Sequence, residues 1–566
     1  MVISSSKPSI FTPKITLIIL LITTTISTAA AGGETTACTA IHDQNSAASR
    51  CSYVKTTAGC NPKGYINYLR IFYCNFSSPF SQLGFVILLI WLVILFYILS
   101  NTASEYFCPA VEHLSRSLNL SPAIAGTTLL PLGNGSTDVF SSVIAFTSTA
   151  DGGDIGVNSV LGGSIFISTV VVGVLSLLIT YRGKIVVIDK PNFIRDVVFL
   201  LITLTNLLII IIIGEISLFA SVVFISTYII YILLVSYMHI ISKQKHNRIT
   251  DSVISVSSVN SVNSVNDDHV IRVPLLGSMI IDDDNVVHPA EKVVHYEEQV
   301  VEYNKKRWIM RFLCYVMKLP VYLPRRLTIP VITKERWSKP FLVISMVLAP
   351  IMVAVIWNTK QGNLGVKASL VMYVVVGSIG IALGTCTYSF TSSTMPPQKC
   401  LEFWYASGFL MSVTWTYVTC SELVSLLESL GNIIGMNPAI LGLTILAWGN
   451  SIGDLAANVA LAMFGGPDGP QIAMSGCYAG PLFNVLVGLG ISFVFVSWSR
   501  YPDPYVIPED PNLRETIGFL MVGLLWALVI LPKRNMRLDQ TLGGGLLVIY
   551  LCFLFIKLAR ATGLLG

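Results

Sequence analysis

The chain has 566 residues, 53% of them hydrophobic and only 12% charged, with a mean hydropathy of +0.70. Soluble domains carry about twice that share of charge, so the composition excludes a soluble protein and implies a polytopic membrane protein in contact with the lipid bilayer. The net charge of +5 is small and gives no ground for a nucleic-acid partner; where the charges fall is more informative than their sum.

Residues 1–31 read as a signal peptide. Lys7 and Lys14 precede a short apolar core, ITLIILLITTTIST, followed by Ala29-Ala30-Ala31-Gly32. That core is shorter than the roughly 20 residues of a spanning helix, and the small residues after it suit cleavage. An uncleaved first anchor is the alternative, and either reading sends the chain into the secretory pathway. The polar stretch 32–80 holds Cys38, Cys51, Cys60 and Cys74, enough for two disulfides whose pairing the spacing leaves open. Asn75-Phe76-Ser77 is a glycosylation sequon close to the membrane. Both features place this segment on the lumenal or extracellular side.

Apolar windows of spanning length fall near 82–100, 120–148, 157–180, 194–214 and 216–240. A hydrophilic gap follows over 241–339, and windows resume near 340–358, 366–388, 402–427, 437–464, 471–498, 513–532 and 540–560. The count is twelve spans after the signal peptide. Positive charge then sets the orientation. The connections predicted to be cytoplasmic carry Arg182, Lys184, Lys190 and Arg195, the basic runs KQKHNR, KKRW, PRRL and KERW of the long gap, and Lys533, Arg534 and Arg537. The predicted outer connections, DGGD near 151 and YPDPYVIPEDPNLRE near 501, are acidic or nearly neutral; Lys557 and Arg560 are exceptions. Within the gap, 251–266 is a low-complexity serine, valine and asparagine tract that reads as a flexible linker or a regulatory segment. Residues 291–317 are amphipathic and suit an interfacial helix.

A shift of 316 residues lays LSPAIAGTTLLPLGNGSTD (120–138) over MNPAILGLTILAWGNSIGD (436–454), with nine of nineteen positions identical. Pro, Thr, Asn and Asp all align, which apolar composition alone does not produce. The same shift lays Glu112 over Glu428, and a shift of 317 lays GGSIF (162–166) over AGPLF (479–483). The chain thus divides into a first repeat (81–240), a cytoplasmic loop (241–339), a linking helix pair (340–390) and a second repeat (400–566). Five spans plus the linking pair make an odd number, so the second repeat enters the membrane upside down. Two inverted five-helix repeats are an architecture of secondary transporters, with the ion site at the midplane.

In both copies a T-x4-G-N-x3-D spacing places Thr128, Asn134 and Asp138, and again Thr444, Asn450 and Asp454, along one helix. Residues four apart share a helix face, so each Asn–Asp pair points the same way. An aspartate inside a span is costly and is functional by default. Carboxylate, amide and hydroxyl oxygens are ligands for a hard cation, and two acids match one Ca²⁺, or monovalent ions and protons in turn. Asn158, whose counterpart falls near Ser475, is a further candidate ligand. Glu112, Glu428 and Glu422 remain open between function and structure. No bound cofactor is implied, only transported cations.

GNGSTDVFSS and GNSIGDLAAN resemble the paired motifs of the Ca²⁺:cation antiporter superfamily, and most closely its plant-type cation/calcium exchanger branch, akin to the mitochondrial sodium/calcium/lithium exchanger. PRRLTIP resembles that branch too. The likeness covers roughly 82–240 and 340–560, and implies a non-enzymatic exchanger in which Asp138 and Asp454 bind the transported cation beside Asn134, Asn450, Thr128 and Thr444. The sequence departs from the branch's usual GNGAPD at Ser136-Thr137, and carries Gly-Gly-Ser and Gly-Pro-Leu where other exchangers have Gly-Ser-Asn. The expected function is antiport of Ca²⁺, K⁺ or Na⁺ against H⁺ or Na⁺, in the plasma, vacuolar or endoplasmic reticulum membrane. An intramembrane aspartyl protease also uses two membrane acids, but Thr137 and Ser451-Ile452-Gly453 do not match its motif contexts. A channel would need a closed acidic ring rather than a pair.

Overall fold

The computed structural model of the protein describes residues 38–44, 46–57, 60, 64–76, 81–110, 113, 131, 135–146, 152–183, 185–256, 319, 321–333, 336–360, 365–397, 400–464, 469–507 and 511–561. The readings for 1–37, Ser77, Glu112, Thr128, Asn134, the serine tract beyond 256 and the amphipathic 291–317 lie outside the described residues. Eleven helices among the described residues are long and apolar enough to cross a membrane. With the shorter helix that represents the window near 120–148, they are α1 (Ser81–Ala110), α2 (135–146), α3 (Ile155–Tyr181), α4 (Lys190–Ile213), α5 (Leu218–Met238), α6 (Lys339–Thr359), α7 (Val366–Phe390), α8 (Leu401–Ile434), α9 (Ala439–Met463), α10 (Gly469–Arg500), α11 (Leu513–Lys533) and α12 (Gln540–Arg560). The protein is a multi-pass, helical membrane protein. Runs of Leu, Ile and Val shed water, and a helix satisfies every backbone polar group where the surroundings offer no partner.

Contacts between connections sort the helix ends into two sides. Val187 and Arg537 form a β-bridge, and Ile188 N–H donates to Met536 O at 2.8 Å, joining the α3–α4 and α11–α12 connections. At the opposite end β1 (Glu215–Ile216) pairs antiparallel with β2 (Tyr505–Val506). These are the groupings that the positive charges predict. The two exceptions, Lys557 and Arg560, both pair with Glu515 at 3.0 and 2.5 Å, which leaves one net positive charge there.

Residues 38–76 form a small unit closed by Cys38–Cys60 and Cys51–Cys74 disulfides. It sits on the end of α8, where the His42 ring nitrogen Nε2 lies 2.7 Å from Asn432 O. On the other side the PRRLTIP segment packs across α1 and α8. Arg325 is 1% exposed and donates to Thr102 Oγ1 at 3.0 Å, and Trp415 Nε1 donates to Thr328 Oγ1 at 2.7 Å.

The two repeats share one apolar core, which runs from Val139, Leu161 and Val197 in the first to Leu443, Leu482 and Leu520 in the second. α3 approaches α9 so closely that a Cβ on Gly162 would lie 2.2 Å from Leu443 O, an approach that only glycine permits. One polar cluster crosses this core. Asp196 of α4, 1% exposed, accepts from Arg195 Nε at 2.8 Å, Tyr231 OH at 2.9 Å and Ser475 Oγ at 3.1 Å. It therefore ties α4 and α5 to α10 of the other repeat. Removing one member of such a buried pair leaves an uncompensated charge. Asp196→Ala is expected to destabilise the protein by about 3 kcal/mol, read as a clearly lowered melting temperature in detergent; an unchanged melting temperature would show that the cluster carries no strain-bearing role.

Candidate functional site: a paired acidic centre between the repeats

Asp138 on α2 is completely buried, and both of its oxygens are held by amides of the second repeat. Asn450 Nδ2 of α9 donates to Oδ1 at 2.9 Å, and Asn484 Nδ2 of α10 donates to Oδ2 at 2.6 Å. Asn450 also reaches Ser141 Oγ at 3.4 Å, and Ser141 lies 3.5 Å from the Cys420 thiol. The helical spacing of four makes this convergence possible. Asn450, Asp454 and Asn458 lie on one face of α9, and Asn458 Nδ2 caps Asp454 O at 2.9 Å. Asp454, 7% exposed, lies at the edge of a cleft together with Asn450 and Thr137. The cleft's other wall is the second half of α1, with Ser100, Ser104 and Cys108.

The electrostatics of this arrangement are unbalanced. Among the described residues neither Asp138 nor Asp454 has an ion-pair partner. The amide oxygens of Asn450 and Asn484 and the hydroxyl of Ser451 are buried with no hydrogen-bond partner among the described residues. Buried polar oxygens cost free energy unless something satisfies them, and buried carboxylates cost far more. Carboxylate and amide groups from three helices thus meet about Asp138, and oxygen donors of this kind suit a hard cation.

Of the residues picked out in the sequence, Asp138, Asp454 and Asn450 come together here. Asn158 is buried on α3 at 1% exposure. Thr444 is half-buried and donates its hydroxyl to Ile440 O at 2.7 Å within its own helix. Asn75 is exposed. Sequence reasoning missed Asn484 and Asn458. Asn458 continues the spacing of 450 and 454 and was there to be found. Asn484 opens a π-helical turn (Asn484–Leu489) in an apolar run, and the aligned position in the first repeat is Ile167, so the repeat gives no hint of it. A π turn widens the helix and re-aims its side chains, and such turns recur at functional sites.

Comparison with known proteins adds independent findings. Residues 88–237 and 404–559 match the sodium/calcium exchanger protein family. The chain is 48% identical to cation/calcium exchanger 1 of Arabidopsis thaliana, over 91% of this chain and 88% of that one. It is 30% identical to the mitochondrial sodium/calcium exchanger protein of Rattus norvegicus, over 93% and 90% of the two chains. A solved H⁺/Ca²⁺ exchanger, CAX, superposes with a TM-score of 0.40 at 10% identity, covering 87% of this chain and 89% of that one.

The packing around Asn484 is testable. A Cβ on Gly135 would lie 2.1 Å from Asn484 Oδ1 and 3.0 Å from the Phe483 ring, whereas one on Gly518 meets nothing within 4 Å. Gly135→Ala is expected to push the Asn484 amide off Asp138 and weaken cation binding about tenfold, roughly 1.4 kcal/mol. Gly518→Ala should leave it unchanged. The measurement is the cation-induced rise in melting temperature of each purified variant, and equal responses from the two would exclude the packing argument.

Proposed function

The chain belongs to the sodium/calcium exchanger protein family, and we infer that it works as a secondary cation antiporter whose cargo is held between Asp138 and Asp454. The observation that carries this reading is the pair of buried acids, one from each repeat, with no cationic side chain beside either among the described residues. In a low-dielectric core that charge needs neutralising before the two repeats can move against each other. Neutralisation has to come from the ion being carried. Cargo and counter-ion then compete for one set of oxygens, and the site is never closed with its charge bare. That competition is antiport.

A site of charge −2 is balanced by one divalent ion or by two monovalent ions or protons. The donors are all oxygen, which suits Ca²⁺, Na⁺ and K⁺ and disfavours soft metals. We therefore assign Ca²⁺ as the divalent cargo and Na⁺, K⁺ or H⁺ as the counter-ions. The amides of Asn450 and Asn484 hold Asp138 in place, and their free oxygens add neutral ligands once an ion enters. Asn134 and Thr128, the repeat partners of Asn450 and Thr444 in the sequence, are proposed as further ligands on that alignment alone. The positive-inside pattern orients the chain with residues 38–76 outside and the PRRLTIP segment in the cytoplasm, in a membrane of the secretory pathway.

Ion flux into vesicles holding the purified protein tests this reading, with Na⁺ and H⁺ gradients imposed separately against Ca²⁺ and K⁺ uptake. Asp138→Asn and Asp454→Asn should each cut exchange by about a hundredfold, near 2.7 kcal/mol, while leaving the amount of folded protein unchanged. Transport at the native rate in both variants would place the site elsewhere. Flux that needs no counter-ion gradient and does not saturate would instead identify a channel.

A further inference from the structure

Glu422 is buried in α8 at 6% exposure, and its ligands come from outside the membrane domain. The Tyr65 backbone N–H donates to one carboxyl oxygen, and the Tyr68 hydroxyl donates to the other at 2.5 Å. Trp91 Nε1 of α1 donates in turn to Tyr68 OH at 2.9 Å. Gly64 lies against Ser425, a position where a Cβ would sit 2.6 Å from the Ser425 hydroxyl. Burial and the bond to Glu422 both push the Tyr68 hydroxyl above its ordinary pKa, so it stays protonated and can donate.

Tyr68 therefore bridges α1 and α8. These helices are repeat mates: the shift of 316 that pairs the two motifs lays α8 over α1, with Thr416 on Ser100, Cys420 on Ser104 and Val424 on Cys108. The three α1 residues line the cleft that reaches Asp454. Of these Ser100 is exposed, Ser104 half-buried and Cys108 4% exposed, whereas their α8 counterparts Thr416, Cys420 and Val424 are shut at 1%, 0% and 1%. Trp91 lies on the half of α1 toward the disulfide-closed unit, and the cleft on the other half. The unit itself is firmly seated, for Ile433 of α8 packs into its core with Cys38, Ile41, Val54, Cys60 and Leu69. Cys60 and Leu69 bracket the bridging residues, so the disulfide-closed core fixes the loop that carries them.

We propose that residues 38–76 are an extracytoplasmic strap, which holds α1 and α8 together through Tyr68 and Glu422 and so keeps the outer access route to the acidic centre closed. The proposal rests on the antiporter reading above, in which the two repeats move against each other, and adds to it the part that governs access from one side. Opening toward the outside requires Glu422 to leave Tyr65 and Tyr68. The counterpart of the open cleft then forms along Thr416, Cys420 and Val424, and Cys420 meets water.

Cys420 and Cys108 are native reporters of the two gates. Two versions of the full chain are made, one keeping Cys420 and the other Cys108 as the single unbridged cysteine, in sealed vesicles of known orientation. A membrane-impermeant maleimide is applied from the outer face for Cys420 and from the inner face for Cys108, without transported ions. Tyr68→Phe is expected to speed modification of Cys420 about tenfold, roughly 1.4 kcal/mol, and to slow that of Cys108. Trp91→Phe, which keeps an aromatic ring in place and removes only the indole donation, should act the same way more weakly. If both variants react at the native rate, or if both cysteines speed up together, the strap does not govern the gate. Labelling needs no flux, so that failure stands apart from a failure of the Asp138 and Asp454 test, which would remove the antiporter reading itself.

Discussion

Two buried carboxylates, one from each repeat, have no cationic side chain beside them among the described residues. An isolated carboxylate is not stable in such surroundings, and proteins ordinarily pair it, neutralise it or keep it wet. On the antiporter reading the remedy is left to the solute. The amides of Asn450 and Asn484 give Asp138 geometry without charge, so on that reading the centre is shaped before an ion arrives and balanced only once one does. The remaining architecture serves that condition. Close helix approach at Gly162 and Gly135 brings oxygen atoms of different repeats into reach, and the surrounding Leu, Ile and Val keep the dielectric low enough for the imbalance to matter.

Much of this was legible in the sequence, for identifiable reasons. Spans declare themselves because hydrocarbon tolerates only apolar helices at that length. The acidic pair declared itself because Pro, Thr, Asn and Asp repeat at one spacing 316 residues apart, which hydropathy alone cannot imitate. Asn484 did not, since its role depends on a π turn and on packing against Gly135 of another helix, neither of which leaves a local pattern. The disulfide pairing was equally silent until the fold set Cys38 beside Cys60 and Cys51 beside Cys74. Lys557 and Arg560 broke the charge rule on paper because their partner, Glu515, lies more than forty residues away in sequence on a different helix. Glu422 had no repeat-related acid to explain it, because its reason for being there is the outer unit and not the repeat.

The same distinction between repeated and unrepeated parts bears on how the molecule chooses a side. Two perfectly equivalent inverted halves would make the inward-open and outward-open forms equal in free energy, related by a two-fold rotation in the membrane plane. Equal populations respond to a small bias, because each 1.4 kcal/mol or so changes their ratio tenfold. The bias has to come from segments that lack a counterpart. Two such segments grip the repeat-related helices from opposite faces: residues 64–68 engage Glu422 of α8 and Trp91 of α1, and Arg325 engages Thr102 beside a π-helical stretch of α1, Ala103–Phe107. The cleft to Asp454 begins at that stretch, with Ala103 and Ser104 in its wall. On the antiporter reading the repeat supplies the two acids of the site, Asn484 is added from outside the repeat, and the unrepeated segments decide which face of the membrane that site meets.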